Sequence, residues 1–154
     1  MTIRTAEISE AAELAVLINA AFLVEKFFIE GDRIDTDQVR DLFPKGDFLV
    51  LDGEHSLDGC VYVEQRGDRA YFGLLSIDPG RQRSGLGSRL VKAAEDWARQ
   101  RGCGHLDMRT VNLRDELPTF YGRLGYVETG TDPFTPETPT KLPCHFVNFS
   151  KALS

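Results

Sequence analysis

Asp78-Pro79-Gly80-Arg81-Gln82-Arg83-Ser84-Gly85-Leu86-Gly87-Ser88 is the stretch on which the fold turns, because the hydrophobic period of the chain changes across it. Upstream, residues 70–77 are a β-rich run. Downstream, Leu86, Leu90, Ala94, Trp97 and Ala98 recur at helical spacing and Gly102 supplies a stop, so a helix is expected over residues 85–101. The first N–H groups of such a helix lack intrahelical partners and sit at the positive end of its macrodipole, which suits a phosphate. Glycines let the anion approach the backbone closely. Residues 81–101 add six basic against two acidic side chains, whereas residues 1–58 hold five basic and thirteen acidic.

Three phosphate motifs compete for this turn. A P-loop needs Gly, four residues, then Gly-Lys-Ser/Thr; Gly80 and Gly85 have the spacing, but Leu86-Gly87 replaces the lysine and the hydroxyl. A dinucleotide fingerprint would use Gly85, Gly87 and an acid such as Asp107, but its third glycine falls on Leu90, and seven residues separate Ile77 from Gly85. The third pattern, Gln/Arg-x-x-Gly-x-Gly/Ala, is met in full by Gln82-Arg83-Ser84-Gly85-Leu86-Gly87.

Working outward, residues 48–51, 57–65 and 70–77 read as three strands joined by turns at Asp52-Gly53 and Arg66-Gly67-Asp68, an antiparallel meander. Residues 105–110 follow the long helix as a strand, so the helix is a crossover and strands 70–77 and 105–110 should lie parallel. A short helix with Phe120, Tyr121 and Leu124 closes at Gly125. At the N-terminus, residues 2–6 suit a strand, Ser9 a helix cap, and Ala11, Leu14, Ala15, Ile18, Ala21 and Phe22 one apolar helix face. Thr36 suits the cap of a second helix ending before Pro44, leaving the acidic residues 27–35 as a loop. Four prolines make residues 132–143 a loop, and residues 144–149 a last strand.

With the hexapeptide, the preceding Leu75-Ser76-Ile77-Asp78-Pro79 and the closing Phe120-Tyr121-Gly122-Arg123-Leu124-Gly125-Tyr126, the chain resembles the GNAT superfamily of acetyl-CoA-dependent N-acetyltransferases. The resemblance implies an α/β (α+β) fold: a mixed, mostly antiparallel sheet of six to seven strands, helices on both faces, and a parallel β-α-β crossover at the CoA site. It implies that the pyrophosphate of acetyl-CoA lies on Gln82, Arg83, Ser84, Gly85, Leu86, Gly87 and Ser88, and that the pantetheine pairs with the backbone of Leu75, Ser76 and Ile77. Tyr121 matches the tyrosine that protonates the departing thiolate. A phenol of reference pKa about 10 is a competent acid towards a thiolate of pKa about 8.5.

For the general base the candidates are Glu64, at the end of the strand before the cofactor strand, and Glu30, in the acidic loop, which is also a candidate for binding the acceptor; Arg33, in the same loop, is a candidate for pairing with a carboxylate of the acceptor or for neutralising Asp32 and Asp35. Many members carry Asn where this chain has Arg114, and Asn112 lies two residues earlier, so that contact stays open between them. A noncatalytic CoA-binding module on the same fold is the alternative, against which Tyr121 weighs. The acidity of residues 1–58 leads to the expectation of a cationic acceptor.

At 154 residues and 42% hydrophobic side chains, one domain with a core of its own is expected. A net charge of −6 argues against nucleic acid or an anionic membrane as a partner. The longest uncharged run, residues 14–24, is eleven residues against the ~20 needed to cross a bilayer, and the acidic N-terminal region is unlike a secretion signal, so a cytoplasmic protein is expected. Cys60, Cys103 and Cys144 are expected as buried thiols, with no metal site; a homodimer is left open.

Overall fold

A computed structural model of the chain describes residues 2–82, 85–135 and 138–154. Seven strands form one sheet: β1 (Ile3–Thr5), β2 (Gly46–Asp52), β3 (Leu57–Arg66), β4 (Arg69–Ile77), β5 (His105–Val111), β6 (Val127–Pro133) and β7 (His145–Ala152), in the order β1-β2-β3-β4-β5-β7-β6. Every neighbouring pair is antiparallel except β4–β5, the parallel pair expected of a crossover. That crossover is α3 (Leu86–Gln100). It lays Leu86, Leu90, Val91, Ala94, Trp97 and Ala98 against Val61, Val63, Phe72, Leu106 and Met108 on one face of the sheet. Leu90 is fully buried, and its truncation to Ala should cost about 2–5 kcal/mol.

The opposite face is covered by α1 (Ala11–Ala21) and α2 (Thr36–Leu42), whose Leu14, Ile18 and Val39 pack on Phe48, Val50 and Cys60. The cap of α2 is Asp35, which accepts from the Gln38 N–H at 2.8 Å in a reciprocal capping box, rather than Thr36. Ser9 is likewise no cap: it lies inside a 3-10 turn, Ile8–Glu10, that leads into α1.

A larger departure from expectation is β6, whose first half carries no strand signal in the sequence and whose end falls in the proline-rich loop. Its residues are exposed along the whole strand, and Val127 and Pro133 at its ends flank polar residues and a glycine, so no apolar alternation marks it. It is an edge strand, paired to β7. The acidic loop is also less free than its composition implies. Phe28 and Ile29 are buried, Ile29 bridges to Thr140, and Lys141 N–H donates to the Phe28 carbonyl at 2.7 Å, so the two loops close on each other. All three cysteines are free, but only Cys60 and Cys103 are buried.

Candidate active site

The parallel pairing of β4 with β5 stops early. Arg69, Ala70 and Tyr71 pair with His105, Leu106 and Asp107, and beyond Tyr71 the two strands part. A fork at the vertex fixes where they do so: Arg69 donates to both carboxylate oxygens of Asp107, at 2.8 and 2.7 Å, and to Ser150 Oγ at 3.0 Å. These bonds outweigh the burial that would favour the acid, and hold the Asp107 carboxyl below its usual range. Asp107 is thus a strand clamp rather than a ribose acceptor.

A bulge in β4 completes the opening. Cys60 pairs with Ser76 but Tyr62 pairs with Gly73, so β4 carries one residue more than β3 across that interval. The extra residue inverts the alternation: Phe72 and Leu75, three apart, both pack with the α3 side, while Leu74 packs with the α1 side. Leu74 takes φ 55°, a left-handed conformation unfavourable for a branched side chain. Its carbonyl is engaged by Ser76 Oγ at 2.9 Å and Cys60 Sγ at 3.8 Å. Because C=O and N–H point oppositely across a trans peptide, the Leu75 N–H is aimed away from these partners, toward the gap between the strands.

The gap is the head of a cleft of about 770 Å³. Leu74, Leu75 and Ile77 line one side, Met108, Arg109, Thr110 and Val111 the other. At one end lies the glycine-rich turn. Gly85 has φ 78° and precedes α3 with no side-chain cap among the described residues, and the first N–H groups of α3 have no acceptor within the helix. Gln82, Gly85, Leu86, Gly87 and Ser88 all line the cleft. Arg83 and Ser84 lie outside the described residues. Arg81 also lines it and pairs with Asp58 at 3.6 Å.

Tyr121 enters from α4 (Leu117–Arg123), packed against Phe72, Phe120, Tyr126 and Phe149 with ring centroids 4.9–6.4 Å away. The Phe120 ring in turn would lie 3.5 Å from a Cβ at Gly87, so α4 is braced against the glycine turn. Burial raises the pKa of the Tyr121 phenol well above its usual value; the positive charge of Arg114 works in the opposite direction.

Several sequence expectations fall elsewhere. Glu64 does not line the cleft: it accepts from Tyr62 Oη at 2.8 Å and Arg66 Nε at 2.6 Å. Burial opposes its ionisation, but those two bonds hold it below the usual carboxylate range, and its place outside the cleft keeps it from an acceptor. Glu30 is exposed outside the cleft, its N–H bound to the Pro139 carbonyl at 3.2 Å. Ser76 is buried and does not line the cleft; its Oγ donates to the Leu74 carbonyl at 2.9 Å. Asn112 is structural, its Oδ1 accepting from the His145 N–H at 2.8 Å.

Arg33 and Arg114 do line the cleft. The carboxylate that comes with them is Glu25, bonded to Arg114 Nη1 at 2.8 Å with both side chains nearly buried. Sequence alone missed Glu25. It follows the apolar run that ends at Val24 and reads as the first solvated residue after a helix, whereas the 3-10 turn Phe22–Glu25 swings it inward. The expected acidic wall is also corrected. Of the thirteen acidic residues in 1–58, only Glu25 and Asp32 line the cleft. Among the described residues no cluster of His, Cys, Asp or Glu is placed to hold a metal, and no helix is long and apolar enough to cross a membrane.

A splayed parallel strand pair, a bulge and an uncapped glycine turn together define a site for an elongated ligand with an anionic tail. Comparison with known proteins gives the family and the fold. The family model described as the acetyltransferase (GNAT) domain matches residues 44–128, more than half of the chain, and the chain belongs to that family. A streptothricin acetyltransferase of Streptomyces lavendulae is 34% identical over 58 residues, which is 38% of this chain and 31% of that protein. Among solved structures, nourseothricin acetyltransferase superposes with TM-score 0.78 at 19% identity, covering 99% of this chain and 98% of its own. The ribosomal-protein-alanine N-acetyltransferase of Brucella melitensis gives TM-score 0.81 at 15% identity, covering 99% and 100%. At such identities these structures establish the fold.

Proposed function

We propose that the protein transfers the acetyl group of acetyl-CoA to a primary amine by direct attack in a ternary complex. The observation that carries this reading is the open β4 edge beyond Tyr71, ending in an inward-aimed Leu75 N–H and continuous with the uncapped start of α3. The first gives an extended chain a strand to pair with, and the second gives its phosphates a set of backbone donors. Gln82, Gly85, Leu86, Gly87 and Ser88 hold the pyrophosphate, with Arg83 and Ser84 assigned to the same loop from the motif.

Acetyl-CoA supplies an acetyl carbon activated as a thioester. The Leu75 N–H donates to the carbonyl oxygen as negative charge develops there. The amine nitrogen forms the new C–N bond as the C–S bond breaks, Tyr121 gives its proton to the departing sulfur, and the proton that the acylated nitrogen then sheds restores the phenol. Burial raises the phenol's pKa and so works against proton donation, and the positive charge of Arg114 offsets part of that by stabilising the phenolate left behind. The acceptor arrives as an ammonium, attracted by Glu25, and passes its proton to that carboxylate through ordered water.

The test is release of free thiol from acetyl-CoA across a panel of polyamines, amino acids, peptide N-termini and streptothricin, the last because the matched relative is named for it. Acetylation of at least one amine, abolished without enzyme, is expected. CoA binding with no thiol release on any amine would leave a binding module instead.

A further inference from the structure

Two arginines in the cleft have no carboxylate. Arg33, before α2, and Arg109, on β5, both line the cleft, and neither forms an ion pair among the described residues. Their neighbour Arg114 is by contrast committed to Glu25 and Glu116. Each free guanidinium is held against an aromatic ring, Arg33 over Phe22 at 5.4 Å and Arg109 over Phe146 at 3.7 Å. Stacking occupies the face of a guanidinium and leaves its edge N–H donors to a ligand. The two cations also act on each other. Desolvation by the cleft walls lowers the Arg33 pKa, Glu25 and Tyr71 oppose this, and Arg109 adds to the lowering. Arg33 is exposed by surface area because it borders the open cleft, yet protein crowds it on the other sides.

Like charges in a walled cleft are costly unless an anion joins them. Glu25 acts on Arg33 and lines the same cleft, so these cations face charge of both signs rather than the uniform positive field that would favour a phosphate dianion. Resting on the acetyl-transfer reading, we infer that the acceptor is a zwitterionic amino acid, its carboxylate held by Arg33 and Arg109 and its ammonium directed to Glu25. Planar guanidinium edges match a carboxylate through two parallel bonds.

The experiment measures thiol release with a set of amino acids, the corresponding amino-acid amides, the parent amines without a carboxylate, and a polyamine. The expected result is a kcat/KM about 10- to 100-fold higher for acids than for their amides, the value of a charge-assisted contact. Arg33→Met and Arg109→Met should each shrink that ratio, chiefly through KM for the acids, while CoA titration and thermal melting report that the variants are folded. Preference for the amides or the polyamine, or an unchanged ratio in both variants, overturns the inference and leaves acetyl transfer standing. CoA binding without thiol release on any amine overturns both.

Discussion

Replacing Tyr121 by Phe deletes one oxygen and leaves the ring in its bed of Phe72, Phe120, Tyr126 and Phe149. Tyr121 lines the open cleft, so loss of its hydroxyl strands no buried partner and stability should change by less than about 1 kcal/mol. The effect on turnover is expected to be much larger. General acid catalysis contributes about 10²- to 10⁴-fold, and about 1.36 kcal/mol corresponds to each decade, so the variant should lose roughly 2.7–5.4 kcal/mol of barrier lowering. The assay is steady-state thiol release at saturating amine, with CoA affinity from calorimetry and the melting temperature beside it. Turnover should slow by about two orders of magnitude or more while CoA affinity stays within about twofold. Because burial raises the phenol pKa, the wild-type kcat should also show no alkaline decline from this group below about pH 10. A Tyr121→Phe enzyme with undiminished turnover would refute the role and leave the residue as packing.

Gly85→Ala should cost about 1–2 kcal/mol, because φ 78° is left-handed, even though open space surrounds the added methyl; CoA affinity should fall with it, as calorimetry can check. Glu25→Gln should lower kcat/KM about 100-fold or more if Glu25 relays the acceptor proton, whereas Glu64→Gln, outside the cleft, should leave it within about twofold. Asp107, depressed below its unfolded value, contributes stability that is complete above about pH 4 and is lost as pH falls through the folded pKa. Asp107→Asn should therefore be about 0.2–1 kcal/mol less stable at pH 7 in urea melts and show a flatter acid limb.

The parts legible in sequence were those with a local signal. The helical period of Leu86, Leu90, Ala94 and Trp97 and the turn pairs at Asp52-Gly53 and Gly67-Asp68 marked α3 and the β2–β4 meander, and the crossover rule then made β4 and β5 parallel. The bulge at Leu74 left no mark, since Gly73-Leu74-Leu75 reads as ordinary strand until its partner on β3 is known. For the same reason Glu64 looked available while Tyr62 and Arg66 had already engaged it from its own strand, two residues to either side. Glu25 and Arg109 became site residues only through contacts distant in sequence, with Arg114 and Phe146. Charge summed over residues 1–58 misled because most of it faces away from the cleft.

The seat of CoA between β4, β5 and the start of α3 is the claim on which the rest depends, and an amide chemical-shift titration with CoA addresses it residue by residue. Saturable shifts should concentrate at Leu75, Ile77, Leu86, Gly87 and Ser88, with little change on β1, β2 and β6. Shifts confined to other surfaces, or none at millimolar CoA, would contradict the account.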